Sequence, residues 1–248
     1  MPSLDHLIVS GGNRVYPEGN SGFSEKGEGY WRGLLSGQRT ASSTPSLDSF
    51  PCLPRFHSPM QPIIPTRRTD PFDDPACLFE IKLDEFRALA DTIAGRFISK
   101  NGNRLRRFDP LLDTLPRGYV FDGELVALDG DGRPILNDLM FGRTEPTYVP
   151  FDVLVADGEN VTVLPLKDRK ALLTQIVRRY RLQKLDWVTG EGKAAFQAVC
   201  DLDLEGLVAK RMIDAYMPGR TTWWKILNRA TVRKTVGQNC SNDGMDED

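Results

Sequence analysis

The chain has 248 residues, 40% of them hydrophobic, and a formal net charge of -2; it can bury one good core with length left for flexible ends, and a histone-like or polybasic nucleic-acid binder is excluded. Four widely spaced cysteines without a CxxC pair fit neither a zinc site nor a disulfide framework, and no stretch approaches the roughly 18 to 20 apolar residues of a membrane span, so a soluble, cytoplasmic protein is expected. The two histidines, His6 and His57, precede the expected folded region, where chemistry must therefore run on Lys, Arg, Asp and Glu without a histidine base, triad or metal ligand.

Residues 1–59 are dense in Gly, Ser and Pro, which predicts a largely unstructured extension. Composition changes abruptly at Met60, and a start of translation there would explain the change. From Leu78 the pattern is that of an α+β domain. Leu78 to Leu83, Phe86 to Ala90 and Arg96 to Ser99 read as short strands, followed by an Asn101-Gly102 turn. Tyr119 to Leu128 reads as a strand closed by Asp129-Gly130-Asp131-Gly132, and Tyr148 to Val155 as another closed by Asp157-Gly158. Connections this short are antiparallel. Leu172, Leu173, Ile176 and Val177 fall at helical spacing within Leu166 to Tyr180. Lys193 to Leu202 reads as a second helix and Gly206 to Lys210 as a buried strand. Past Asn228 the periodicity fades into an acidic, frayed tail carrying Asp243, Asp246, Glu247 and Asp248, so the remainder is slightly positive, which permits DNA contact.

Within this frame, Lys82 stands between Ile81 and Leu83, with Glu80 and Asp84 two residues to either side. Such a frame is either the wet face of an edge strand or a way to hold one amine in place as a nucleophile. Ser99-Lys100-Asn101-Gly102 is a plain hairpin turn or a cationic turn that meets ribose or phosphate oxygens. Glu124, between apolar neighbours, points to solvent or takes a ribose hydroxyl or a metal ion as partner. Phe151 packs in the core or stacks on a purine. Glu205 precedes an apolar strand that Lys210 leaves, and Trp223-Trp224-Lys225 sets a last cation beside large aromatics. One nucleophile candidate, two carboxylates for a hard divalent metal and several cations for phosphates suit phosphoryl or nucleotidyl transfer.

The ordered set Glu80-Ile81-Lys82-Leu83-Asp84-x-x-Arg87, Ser99-Lys100-Asn101-Gly102, Asp122-Gly123-Glu124, Phe151-Asp152, Glu205-Gly206-x-x-x-Lys210 and Trp224-Lys225 closely resembles the successive motifs of ATP-dependent DNA ligases. The resemblance covers about residues 60–228, and Pro71 to Pro75 with Tyr216 to Arg220 look most like the ligase domain of bacterial end-joining ligase D. It implies an ATP-grasp-like nucleotidyltransferase domain of antiparallel sheets flanked by helices. Lys82 would form a lysyl-adenylate from ATP, pass AMP to the 5′-phosphate of nicked double-stranded DNA, and leave the 3′-hydroxyl to seal the strand in repair or recombination. Glu80 would border the adenine, Arg87 and Lys100 would reach the ribose or phosphate side, and Phe151 would stack on the base. Glu124 and Glu205 would bind Mg2+ (or Mn2+) or ribose, and Lys210 and Lys225 would neutralise the α-phosphate.

Three positions depart from the pattern of the family. Glu85 stands where a glycine is usual, Leu227 replaces a lysine, and Lys100 replaces an arginine. The chain is expected to have no OB-fold domain, so that a separate protein would supply OB-fold or DNA-end functions. A non-catalytic nucleotide- or nick-binding remnant and an RNA ligase or capping-type nucleotidyltransferase are the alternative readings.

Overall fold

The protein is described by a computed structural model that covers residues 9–10, 60–83, 85–127, 139, 145–220 and 223–231. Apart from Val9–Ser10, the expected N-terminal extension lies outside these residues, as do Asp84, the turn signal at 129–132 and the acidic tail. In chain order the elements begin with strands β1 (Val9–Ser10), β2 (Thr66–Arg68), β3 (Asp74–Ile81), β4 (Phe86–Asp91), β5 (Arg96–Ser99), β6 (Val120–Val126), β7 (Thr147–Ala156) and β8 (Glu159–Asn160). Helix α1 (Leu166–Tyr180), β9 (Lys184–Leu185), β10 (Trp187–Gly190), helix α2 (Gly192–Asp201), β11 (Gly206–Arg211) and β12 (Trp223–Leu227) follow. A 3-10 helix spans Arg106–Thr114.

The chain divides into two compact units. Among the described residues, one holds those of Glu85–Asp186 and Asp214–Tyr216 with those before Ile63; the other holds those of Ile63–Asp84, Trp187–Ile213 and from Met217 onward.

In the first unit, five strands form an antiparallel sheet in the order β5-β4-β6-β7-β8. Alternation along the strands gives it two different faces. Ala88, Ala90, Phe97, Phe121, Leu125, Tyr148 and Val153 join Leu172, Leu173, Ile176 and Val177 of α1 in one buried cluster. The i, i+3, i+4 spacing of those helix residues is why α1 forms over the expected span. The opposite face presents Arg87, Asp122 and Glu124. The expected Asp157-Gly158 closure is present between β7 and β8, with positive φ at both residues (50° and 85°), the geometry of a type I′ hairpin turn. The Asn101-Gly102 turn is likewise present, with Gly102 at φ 82°. Val9–Ser10 pairs antiparallel with Leu185 and Lys184.

The second unit is a five-stranded sheet in the order β10-β3-β11-β12-β2, antiparallel except for the parallel β12–β2 pair. Helix α2 buries Ala195, Ala198 and Val199. Trp223–Leu227, read from sequence only as cations beside aromatics, is a full strand, and both β2 and β10 are further strands that periodicity did not indicate. Their apolar content is too sparse, and β2 is exposed throughout. Among the described residues, no helix is long and apolar enough to cross a membrane.

Candidate active site

In the second unit the candidate residues come together through strand register. β3 ends at Ile81, so Lys82 sits just past the strand and not inside it, and its amide donates to the Gly206 carbonyl at 2.9 Å. A Cβ on Gly206 would run into the Ile226 carbonyl, so glycine is what lets β11 lie against β12 at this point. Lys82 Nζ donates to Glu205 Oε2 at 2.5 Å, and both side chains keep some solvent access, 21% and 16%. The lysine is therefore held in place with about a fifth of its side chain open to solvent. Behind it, Lys210 Nζ lies 2.6 Å from Glu80 Oε2, in a pair that is almost wholly enclosed (2% and 1%), and 3.9 Å from the centre of the Trp223 ring. A charge buried in this way needs a partner, and the pair supplies one.

The register links Glu80 to Val208, Val208 to Lys225, and Lys225 to Arg67. Directly paired residues share a sheet face, and residues two apart on a strand do so too. Glu80, Lys210, Lys225 and Arg67 thus belong to one face, with Lys82 continuing it. Lys225 and Arg67 form no ion pair with any described residue, so among the described residues this face offers two cations to an anionic group. Arg67 escaped sequence reasoning because only the pairing of β2 with β12 reveals its neighbour. Leu227, two residues beyond Lys225, contributes no charge.

In the first unit, Arg87 faces Glu124 across the β4–β6 pair. Its guanidinium grips Asp122 with both arms, Nε to Oδ1 at 3.0 Å and Nη2 to Oδ2 at 2.6 Å. Burial disfavours the Arg87 cation, but the charge and hydrogen bonds of Asp122 outweigh burial, and the group stays charged well above its ordinary range. Phe151 is 6% exposed, and the Arg87 guanidinium lies 5.4 Å from the centre of its ring. Behind that ring, buried Lys170 of α1 donates to the Phe151 carbonyl, and Arg169 pairs with Asp152 through bonds of 3.0 and 2.9 Å. The Phe151-Asp152 pair is thereby fixed from the helix side.

Gly123 is needed between the two acids of its motif. A Cβ there would stand 2.6 Å from the Val149 carbonyl, 2.7 Å from the Tyr148 ring and 2.8 Å from Pro150 Cα. Tyr148 passes beneath β6, and its single hydroxyl proton is shared between the carbonyls of Ala88 and Phe121, at 3.0 and 3.1 Å. Burial and then the charge of Asp122 push that hydroxyl well above the usual phenol range.

Lys100 is exposed in the turn after Ser99, the Cα partner of Ala88, and forms no ion pair with a described residue. Asp122 and Tyr216 stand within motifs quoted from the sequence, but sequence reasoning gave neither a part in the site. Tyr216 donates its hydroxyl to Asp122 Oδ2 at 2.7 Å from 94 residues away, a separation that no local pattern signals.

This fold, with a lysine at a strand end held by a carboxylate and cations along the same sheet face, is that of a nucleotidyltransferase domain. A family model for the ATP dependent DNA ligase domain matches residues 67–226, and the chain belongs to that family.

Among its relatives is the multifunctional non-homologous end joining DNA repair protein LigD of Mycobacterium tuberculosis, 32% identical over 170 residues that make up 64% of this chain and 22% of that one. The SPbeta prophage-derived DNA ligase-like protein LigB of Bacillus subtilis is 26% identical over 172 residues, 64% of each chain. The chain thus spans less than two thirds of the length of either relative. The structure of mycobacterial DNA ligase D complexed with ATP and MES matches with a TM-score of 0.60 at 27% identity, over 68% of this chain and 60% of that one. The ligase domain of M. tuberculosis LigD gives 0.57 at 27% identity, over 66% and 58%.

Proposed function

We propose that the chain catalyses the adenylation chemistry of an ATP-dependent DNA ligase, with Lys82 as the covalent nucleophile. The observation that carries this reading is the Lys82–Glu205 contact at 2.5 Å beside the enclosed Glu80–Lys210 pair. Lys82 Nζ attacks the α-phosphorus of ATP; an N–P bond forms, the bond to the bridging oxygen breaks, and pyrophosphate leaves. Glu205 Oε2 takes the ammonium proton before attack, a role that its 2.5 Å contact with Lys82 Nζ supports. Lys225 and Arg67 offer the positive charge that a phosphoryl oxygen needs as the bond order shifts. Arg87, aligned by Asp122, and Lys100 serve the ribose and phosphate side, and Phe151 the base. Glu80 acts through its pairing with Lys210.

Mg2+ or Mn2+ fits the donor set. Among the described residues there is no cluster of three or more His, Cys, Asp or Glu that would form a protein-only cage. A hard ion of this kind is usually bound through one or two carboxylates together with substrate phosphates, and Glu205 or Glu124 would serve as such a carboxylate. When bound, the ion neutralises charge on the phosphates.

AMP then passes to the 5′-phosphate of nicked double-stranded DNA and is displaced by the 3′-hydroxyl. Support for this acceptor comes from the family and from relatives named for end joining, and a cytoplasmic setting with DNA-end functions supplied by another polypeptide or domain belongs to the same reading. Gel analysis of a labelled nick incubated with the chain, ATP and Mg2+ tests it. Adenylated 5′ ends or sealed strands are expected; an unchanged nick, with ATP bound, would instead favour a nucleotide-binding remnant.

A further inference from the structure

We propose that Tyr216 is a positioning residue for Arg87, acting through Asp122, and thereby sets how firmly the first unit grips the ribose and phosphate side of the nucleotide; this rests on the reading that the chain binds ATP. Asp122 is fully buried, and its two oxygens receive three donors, two from Arg87 and one from the Tyr216 hydroxyl. The terminal torsion of an aspartate is broad and roughly two-fold, so a carboxylate held only by a side chain it must itself orient can rotate with it. The hydroxyl supplies an anchor from outside the sheet.

That anchor is itself firmly seated. The Tyr216 amide donates to the Thr162 carbonyl at 2.8 Å. Two residues earlier, the Asp214 carbonyl accepts the Leu166 amide at 2.9 Å and Arg169 Nη1 at 3.1 Å. The Arg169 guanidinium, fully buried on Asp152, lies 5.7 Å from the centre of the Tyr216 ring. The segment Asp214–Tyr216 is thus tied into the first unit although the chain on both sides of it belongs to the second. A ring that only filled space would not need its hydroxyl aimed at the carboxylate that grips Arg87 with both oxygens. Small errors in the aim of a binding group are costly, which gives the hydroxyl an effect on affinity beyond its own bond.

The test uses calorimetric titration of the full chain with ATP and Mg2+ on a Lys82→Ala background, in which no turnover intrudes. Tyr216→Phe, which keeps the ring, is expected to weaken ATP roughly 10- to 100-fold, the worth of one hydrogen bond to a charged group. Arg87→Gln should weaken it more, and the double variant should match Arg87→Gln within about twofold, because the hydroxyl acts only through the guanidinium. With Lys82 present, the KM for ATP in adenylation should rise while the rate at saturating ATP stays within about twofold. A merely structural role would lower the melting temperature and the active fraction without this split. Unchanged affinity in Tyr216→Phe, or losses that multiply in the double variant, would overturn the proposal. A parent chain that binds ATP but never forms an adduct would sink the catalytic reading and leave the titration decisive for Tyr216; one that binds no ATP overturns both.

Discussion

Glu80→Gln is the perturbation whose cost the structure fixes most sharply. Glu80 Oε2 and Lys210 Nζ are 2.6 Å apart with side chains only 1% and 2% exposed. The substitution keeps the shape and leaves a buried ammonium facing a neutral amide. Breaking a buried pair from one side costs about 3–5 kcal/mol, because the remaining charge keeps its desolvation penalty. For a chain of this size that is a fall in melting temperature of roughly 2–4 °C per kcal/mol. Lys210→Met loses in addition the contact with the Trp223 ring, about 0.5–2 kcal/mol. Removing both charges in Glu80→Gln/Lys210→Met should cost clearly less than the sum of the two single losses. Urea unfolding without nucleotide, followed by tryptophan fluorescence, measures all four species. A Glu80→Gln loss below about 1 kcal/mol, or an additive double variant, would refute the reasoning that this carboxylate is chiefly the counter-charge of Lys210.

Gly123→Ala places a methyl group 2.6–2.8 Å from two backbone atoms and the Tyr148 ring, so β6 and β7 must part; a loss of about 1–3 kcal/mol in urea unfolding is expected, and stability within about 0.5 kcal/mol of the parent would contradict the packing described. Glu85→Gly removes a negative charge three residues from Lys82 and should raise the rate of lysine labelling by ATP at least about twofold, as read by intact mass over time; an equal or lower rate counts against an inhibitory role for that charge. Tyr148 has a raised pKa in the folded chain, so its unfolded form releases the proton first and stability falls as pH rises above about 10, the ordinary phenol value. Tyr148→Phe should flatten that alkaline decline in urea midpoints measured from pH 8 to 11, and an unchanged slope would assign the decline to other groups.

The regular elements were legible wherever apolar periodicity was strong. Helix α1 coincides with its predicted span because Leu172, Leu173, Ile176 and Val177 mark a single buried stripe. β5 matches as well, and the Asp157-Gly158 turn was readable because those residue types tolerate positive φ. β2 and β12 were not legible, since one is exposed throughout and the other begins with two tryptophans whose pairing only the sheet reveals.

The same division holds for the site. Lys82, Glu80, Lys210, Arg87 and Glu124 could be picked out by residue type in ordered motifs, yet their contacts could not. That Glu80 pairs with Lys210, that Lys82 pairs with Glu205, and that Tyr216 reaches Asp122 are consequences of register and of chain return across 94 residues or more. Lys82 was expected within a strand over Leu78 to Leu83, either on a wet edge or held in place as a nucleophile. Its place after Ile81, partly open, follows from β3 ending where Gly206 takes over the hydrogen bond.

The central claim is that Lys82 becomes covalently adenylated, and intact mass spectrometry tests it most directly. The full chain incubated with ATP and Mg2+ should gain the mass of one AMP, and the Lys82→Ala chain treated in the same way should gain none. No added mass on the parent chain, or an equal gain on Lys82→Ala, would contradict the assignment of Lys82 as the nucleophile.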